Sequence, residues 1–141
     1  MIELDDFIAR YVATWNESDL DVRQKQIAGL WSEQASLFNR ASEYHGLAGI
    51  EEAVNRSYDL FGARGFRFRA LGKPASHHNA VKFSWEMITA GDGAVDSVGT
   101  QFLVLDENGR IRFDYQFIEK ASTSRPRANG AGTGEQLRRA R

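Results

Sequence analysis

The chain has 141 residues, 42% of them hydrophobic, with 18 Lys and Arg against 19 Asp and Glu, which suits one globular domain and leaves no room for two. It contains no cysteine, so disulfides, thiol nucleophiles and Cys-ligated metals are excluded. The formal charge of −1 averages two unlike parts, because residues 1–119 carry −6 and the segment from Lys120 onward carries +5.

The start, Met1 to Asp6, is acidic where a secretory leader is basic, and the longest uncharged run, Ser97 to Leu105, is too short to span a bilayer. Cytoplasm, without a membrane partner, is the expected location. Residues 4–16 place Leu4, Phe7, Ile8, Tyr11, Val12 and Trp15 at steps of three and four, which predicts an amphipathic helix. Ser18 or Asp19 can cap a second helix with Val22, Ile27, Leu30 and Trp31 as its apolar stripe. Ala35 to Asn39 reads as a short strand. After Tyr44-His45-Gly46 a third helix is expected from Leu47 to Phe61, with Glu51 and Glu52 in its first turn and Gly62 and Gly65 ending it.

From there the period changes to two. Phe66 and Phe68 alternate with Arg67 and Arg69, and Val81, Phe83, Trp85 and Met87 alternate with Lys82, Ser84 and Glu86. Gly91-Asp92-Gly93 turns the chain into a strand from Val95 to Leu105, and Asp106 to Gly109 turns it into another from Ile111 to Ile118. Helices followed by antiparallel strands give an α+β class, with three helices on the concave face of a curved antiparallel sheet. The expected domain is residues 1–119. Residues 120–141, rich in Gly, Ser and Arg with Leu137 as their one large apolar residue, read as a flexible basic tail. Asn129 to Gly134 follows no strand and is no phosphate loop.

The order helix, helix, short strand, helix, meander, with Tyr-His-Gly-Leu-Ala-Gly-Ile50 before the third helix and Asp-Glu-Asn-Gly-Arg-Ile111 before the last strand, resembles the nuclear transport factor 2-like superfamily. Within it, the chain is similar to the SnoaL-like branch of polyketide cyclases and ketosteroid isomerases. Arg10 to Asp21 is close to the first helix of bacterial ketosteroid isomerases. His77-His78, the Phe83 and Trp85 pair and Gly99-Thr-Gln-Phe102 resemble an uncharacterised SnoaL-like subgroup. The resemblance implies a cone-shaped sheet around a long helix, an apolar pocket at the open end, and a homodimer formed through the sheet. Isomerases, cyclases, epoxide hydrolases, dehydratases and non-catalytic binding modules share this architecture, so it does not fix an activity, and isomerase, cyclase or hydratase-type acid/base chemistry is the expectation.

Carried over residue by residue, the resemblance puts Tyr11 at the tyrosine that stabilises an oxyanion. Asn39 stands where the isomerases have a carboxylate base, and an amide cannot take a proton at neutral pH. The remaining oxyanion position falls on Thr100 or Gln101, neither an acid, which argues against the isomerase mechanism. Cyclases place an acid on the last strand at a position matching Gln116, and Asp114 lies two residues earlier, on the same face. Alternation points the other way, since Ile111, Phe113, Tyr115 and Phe117 would form the apolar face and turn Asp114 outward, toward Arg112 or Lys82. A β-bulge would reconcile the two. Glu86 is expected to face out if Trp85 faces in.

The candidate catalytic residues are therefore Tyr11, to polarise a carbonyl or enolate oxygen, and Asp114 or the loop residue His45, to move a proton. Trp15, Trp31, Phe61, Phe83, Trp85, Phe102 and Tyr115 would converge on the cone, joined by Asn39, Thr100 and Gln101, to line a site for a hydrophobic cyclic or aromatic metabolite. Adjacent His77 and His78 lack a carboxylate at ligand spacing, so neither a metal nor a cofactor is expected. The alternative function is a non-catalytic ligand-binding or protein-interaction module. The acidic body argues against nucleic-acid binding, and the tail's dispersed charges are a weak invitation to it.

Overall fold

Leu4–Asn16 forms α1, whose first turn is closed by the Glu3 carboxylate accepting from the Asp6 N–H at 2.8 Å. A computed structural model describes residues 3–121, and the expected boundary at residue 119 is followed by only two of them; the tail expectation otherwise lies outside the described residues. Asp19 caps α2 (Leu20–Leu30) by accepting from Val22 N–H. The chain then passes directly into β1 (Trp31–Phe38), so Trp31 opens a strand rather than closing the helix stripe, and Val22 is exposed. A three-residue β2 (Glu43–His45), not anticipated from the sequence, leads into α3 (Gly46–Leu60). Glu51 and Glu52 consequently fall beyond the first turn of α3. A short 3₁₀ turn, Gly62–Arg64, ends on Gly65 at φ 90°, a conformation that favours glycine.

The remaining strands are β3 (Arg67–His77), β4 (Ala80–Ile88), β5 (Val95–Leu105) and β6 (Ile111–Lys120). They join β1 and β2 in one curved six-stranded sheet of order β2-β1-β6-β5-β4-β3. The meander β3 to β6 is antiparallel as expected, while β1 pairs with β6 in parallel and makes the sheet mixed. Such a pairing needs a long connection, here all of α3 and the meander. No helix among the described residues is long and apolar enough to cross a membrane.

All three helices lie on the inner face, where Val81, Phe83, Trp85 and Met87 of β4 are buried as the alternation predicts. Polar ties fix the helices on this apolar bed. Asn16, at the end of α1, donates to the Phe68 carbonyl and accepts from the Phe68 N–H, both at 2.8 Å, and so pins α1 to β3 like one rung of a ladder. The buried Arg23 guanidinium donates to the carbonyls of Glu17 and Ser18 and to Asn55, and stacks 4.5 Å above Tyr58, joining the α1–α2 turn to α3.

The close packing of Trp85 depends on one glycine. Trp85 and Gly99 are paired across β4 and β5, and the indole lies where a Cβ on residue 99 would be. Gly99→Ala should therefore displace the indole and destabilise the fold by about 1–3 kcal/mol, the usual cost of overpacking a core. Urea unfolding of the two proteins measures the difference.

Candidate functional site

Between α1, α3 and the inner sheet face lies a cavity of about 120 Å³, partly open to solvent. Tyr11, Val12 and Trp15 of α1 form one wall, and Ala53, Arg56, Ser57 and Leu60 of α3, with Phe61, form another. The sheet contributes Leu37, Tyr44, Phe68, Phe83, Trp85, Met87, Ser97, Gln101, Gln116 and Ile118, and Asn39 follows β1.

Its polar end is a buried hydrogen-bond network. Tyr11 donates its hydroxyl proton to Asp114 Oδ2 at 2.7 Å. The Gln101 amide nitrogen donates both to the Tyr11 oxygen at 2.9 Å and to Asp114 Oδ1 at 2.7 Å. The Gln101 carbonyl accepts from the Trp85 indole N–H at 2.9 Å, which sets the orientation of the amide. Tyr11 and Gln101 reach the cavity wall, whereas Asp114 sits behind them and is wholly buried.

Asp114 faces inward because β6 changes phase near its start. Leu105 pairs with Ile111 and Val104 with Phe113, so Arg112 is an extra residue, a β-bulge that inverts the alternation. Beyond it, Asp114, Gln116 and Ile118 face the helices, and Tyr115 and Phe117 are exposed. The expectation of one apolar face through Phe113, Tyr115 and Phe117 packed into the core is thereby corrected; of that set, Ile111 alone is a fully buried core residue.

The neighbours of Asp114 across the sheet are Leu37 on one side and Leu103 on the other. Burial among them raises its pKa from the ordinary 3.8 to about 7, against the hydrogen bonds from Tyr11 and Gln101, which favour the carboxylate. Tyr11 is pushed well above its ordinary 10.0, first by burial and then by the Asp114 charge and hydrogen bond, so it remains a neutral phenol. The buried indole N–H groups of Trp15 and Trp31 have no hydrogen-bond partner among the described residues. They lie near Tyr11 and Asp114 respectively and weakly favour the charged forms.

One proton therefore controls what Tyr11 presents to the cavity. With Asp114 ionised, the phenol proton is spent on the carboxylate, and the oxygen keeps one free lone pair. With Asp114 protonated, its O–H and Gln101 fill both lone pairs of the phenol oxygen, and the phenol proton is free to point at a ligand. Tyr11 and Asp114 together form a relay able to give or take a proton at an oxygen atom in the cavity.

Of the other predicted residues, Trp15, Asn39, Phe61, Phe83 and Trp85 line the cavity. The Asn39 carbonyl is occupied by the Ala41 and Ser42 N–H groups of the following turn. Trp31 is buried against Tyr11, ring centres 5.3 Å apart, without reaching the cavity wall. Thr100, Phe102 and Tyr115 belong to the outer sheet face and not to the cavity, because Gln101, directly opposite Phe83, takes the inward phase of β5. Thr100 bonds to Ser84 and Glu119, while Phe102 and Tyr115 are exposed. His45 is likewise remote, bonded through Nδ1 to Ser36 at 2.8 Å and through Nε2 to Glu43 at 2.7 Å. Glu86 faces out and is covered by Arg69 in a 2.6 Å ion pair. His77 and His78 close the β3–β4 hairpin, and no group of His, Asp and Glu fit to hold a metal occurs among the described residues.

Tyr44, Arg56, Phe68, Ser97 and Gln116 line the cavity without having been singled out for it. Ala53, Arg56, Ser57 and Leu60 share one face of α3 by their spacing, but a charged residue within that face does not register in a count of apolar positions.

The fold agrees with the comparisons. Residues 8–113 match the SnoaL-like domain, and the chain belongs to that family. A provisionally named isomerase of the SnoaL-like family from Agrobacterium tumefaciens is similar in structure, with a TM-score of 0.77 and 28% identity over 84% of this chain and 99% of that one. An NTF2-like protein of unknown function from Exiguobacterium shares the fold at a TM-score of 0.64 and 18% identity, covering 80% of this chain and 98% of that one. A provisionally named polyketide cyclase from Sinorhizobium meliloti does so at 0.60 and 13%, covering 79% and 93%. No curated protein matches the chain.

The elevated pKa of Asp114 links stability to pH. The unfolded carboxyl loses its proton near 3.8 and the folded one near 7, so between these values the folded state holds the extra proton. Stability from this group is then full in acid and falls as pH rises through that window, levelling off above about 7. Asp114→Asn, a mimic of the neutral acid, should flatten the decline, as read from urea unfolding across this pH range.

Proposed function

We propose that this protein binds a hydrophobic, cyclic or aromatic metabolite in the cavity and performs acid/base chemistry at an oxygen of that molecule through Tyr11, with Asp114 as the proton reservoir. The supporting observation is the Tyr11 hydroxyl, on the cavity wall and 2.7 Å from a buried carboxyl poised near neutrality. In the proton-loaded state Tyr11 donates to a carbonyl or enolate oxygen. In the ionised state it accepts a proton from a hydroxyl while passing its own to Asp114. The isomerase and cyclase names of the structural relatives are compatible with such chemistry. Gln101 and Trp85 position the pair.

A probe with an ionisable oxygen tests this reading. At about pH 8, 4-nitrophenolate should bind the wild type with uptake of a proton by Asp114, which frees the Tyr11 proton for the anion, and should bind Tyr11→Phe at least tenfold more weakly, as expected for a lost charge-assisted hydrogen bond. It should bind more tightly to Asp114→Asn, whose amide can donate to Tyr11 and release the phenol proton to the cavity. Equal binding by Tyr11→Phe and wild type, followed by absorbance of the phenolate, would remove Tyr11 from the site.

A second reading, a binding module without catalysis, is favoured by one observation. No carboxylate or imidazole lines the cavity among the described residues, so nothing there is suited to abstract a proton from carbon. The two readings part on turnover once a ligand is known.

The outer sheet face supports a second copy of the chain as partner. Phe38 stacks on Tyr115 at 5.0 Å, Tyr115 lies 6.4 Å from Phe102, and Phe117 is 55% exposed, giving an aromatic patch across β1, β6 and β5. Lys82 and Glu119 on the same face supply both signs of charge, as a two-fold pairing requires. Phe117→Glu is expected to yield a monomer in sedimentation experiments if the wild type is a dimer through this face.

A further inference from the structure

Arg56 is the one cationic residue in the cavity wall among the described residues. It sits on α3 between Ala53 and Leu60, and it is exposed, which puts it where the cavity meets solvent. Its guanidinium has no hydrogen bond, ion pair or stacking partner among the described residues. Three other arginines of the domain are committed: Arg23 to three acceptors and Tyr58, Arg69 to Glu86, and Arg112 to the Gln34 carbonyl and the Phe113 ring; what sets Arg56 apart is its place in the cavity wall. Glu52 and Asp59, a turn away on either side of Arg56, do not pair with it either. Five N–H donors are thus available at the mouth of a cavity that has no acidic residue in its wall among the described residues. The surrounding body carries a net −6, which does not favour anions in general.

The volume constrains what accompanies that anion. At about 120 Å³ the cavity resembles in size an engineered site of about 150 Å³ that takes benzene, and it falls below the roughly 300 Å³ at which drug-sized pockets begin. Phe68, Phe83 and Trp85 give it flat apolar walls, and the phenol of Tyr11 marks its polar inner end. A single guanidinium is matched to a planar monoanion, which it can grip with two parallel N–H bonds. A phosphate dianion would call for more positive charge than one arginine beside Glu52 and Asp59.

We infer that the ligand is a compact single-ring carboxylic acid, with its carboxylate on Arg56 at the mouth, its ring between the aromatic walls, and an oxygen substituent at Tyr11. This rests on the reading of the cavity as a ligand site and adds the substrate class. Arg56 is a specificity-determining residue that takes no part in the proton relay. Fused-ring substrates such as steroids are too large for the closed part of the cavity.

The test uses the full chain and three acids, benzoate, cyclohexanecarboxylate and 4-oxocyclohexanecarboxylate, each paired with its primary amide, with binding measured by ligand-observed NMR. The expected result is that acids bind about tenfold more tightly than their amides. Arg56→Gln should bring each acid to within about twofold of its amide, and Arg56→Lys should retain part of the preference. Equal binding of acid and amide to the wild type, or a preference that survives in Arg56→Gln, overturns the role of Arg56 and leaves the ligand site standing. Tighter binding of 2-naphthoate than of benzoate overturns the single-ring limit. Absence of binding by all six compounds overturns the ligand-site reading together with this one.

Discussion

A carboxyl group with no access to water is the constraint around which this domain is arranged. Asp114 lies between Leu37 and Leu103 in the sheet, and an unpaired carboxylate so placed would cost several kcal/mol. Two devices lower that cost: partial neutralisation, since burial pushes the carboxyl up to about 7, and donors from Tyr11 and Gln101. Each device recruits further structure. Gln101 is held by Trp85, Trp85 lies flat because residue 99 is glycine, and Tyr11 is in place because Asn16 pins α1 to β3. Loss of any one partner would leave a buried polar group unsatisfied, which is costlier than the net value of the bond it made. The network is thus a structural obligation as well as a chemical device, and the same atoms serve both.

The local periods of the sequence carried much of this arrangement. Step-three and step-four patterns located α1 and α3 within a residue or so, and strict alternation oriented β4 correctly, because each pattern is internal to its own segment. The phase of β6 is different in kind. It depends on one extra residue, Arg112, whose unpaired position is defined only against β5, and nothing in the composition of that strand marks it. Alternation alone therefore turned Asp114 outward, and the family resemblance, which carries information about register, turned it inward. The choice between Thr100 and Gln101 had the same origin: a one-residue uncertainty at a turn exchanges the faces of a strand. β2 was missed because three residues are too few to establish a period. Arg56 was overlooked because helix patterns were read for apolar residues, and a cation at the rim interrupts them.

The two faces of the sheet have separate tasks in this arrangement. Tyr115 and Phe117 alternate with Asp114 and Gln116, so the bulge that buries the carboxyl also turns two aromatic rings to the outside. An inward Asp114 and an outward aromatic patch are one event, not two. Removal of the bulge would bury the rings and expose the acid, dismantling cavity and patch together. That coupling explains why a sequence pattern that looked like a core strand belongs to a surface.

The position of the proton relay limits the chemistry that the cavity can support. Asp114 is screened from the cavity by Tyr11 and Gln101, so any proton it exchanges must pass through the phenol oxygen. Transfer between two oxygen atoms in hydrogen-bond contact needs little rearrangement, whereas removal of a proton from carbon needs a base in direct reach of that carbon. Among the described residues no carboxylate or imidazole occupies such a position in the cavity wall, and Asn39 cannot act as one. A 1,3-shift between carbons therefore lacks its base here, while activation of a carbonyl, enolate or hydroxyl oxygen does not. The relay narrows the reading of the site to reactions, or recognition events, in which the decisive proton moves at oxygen.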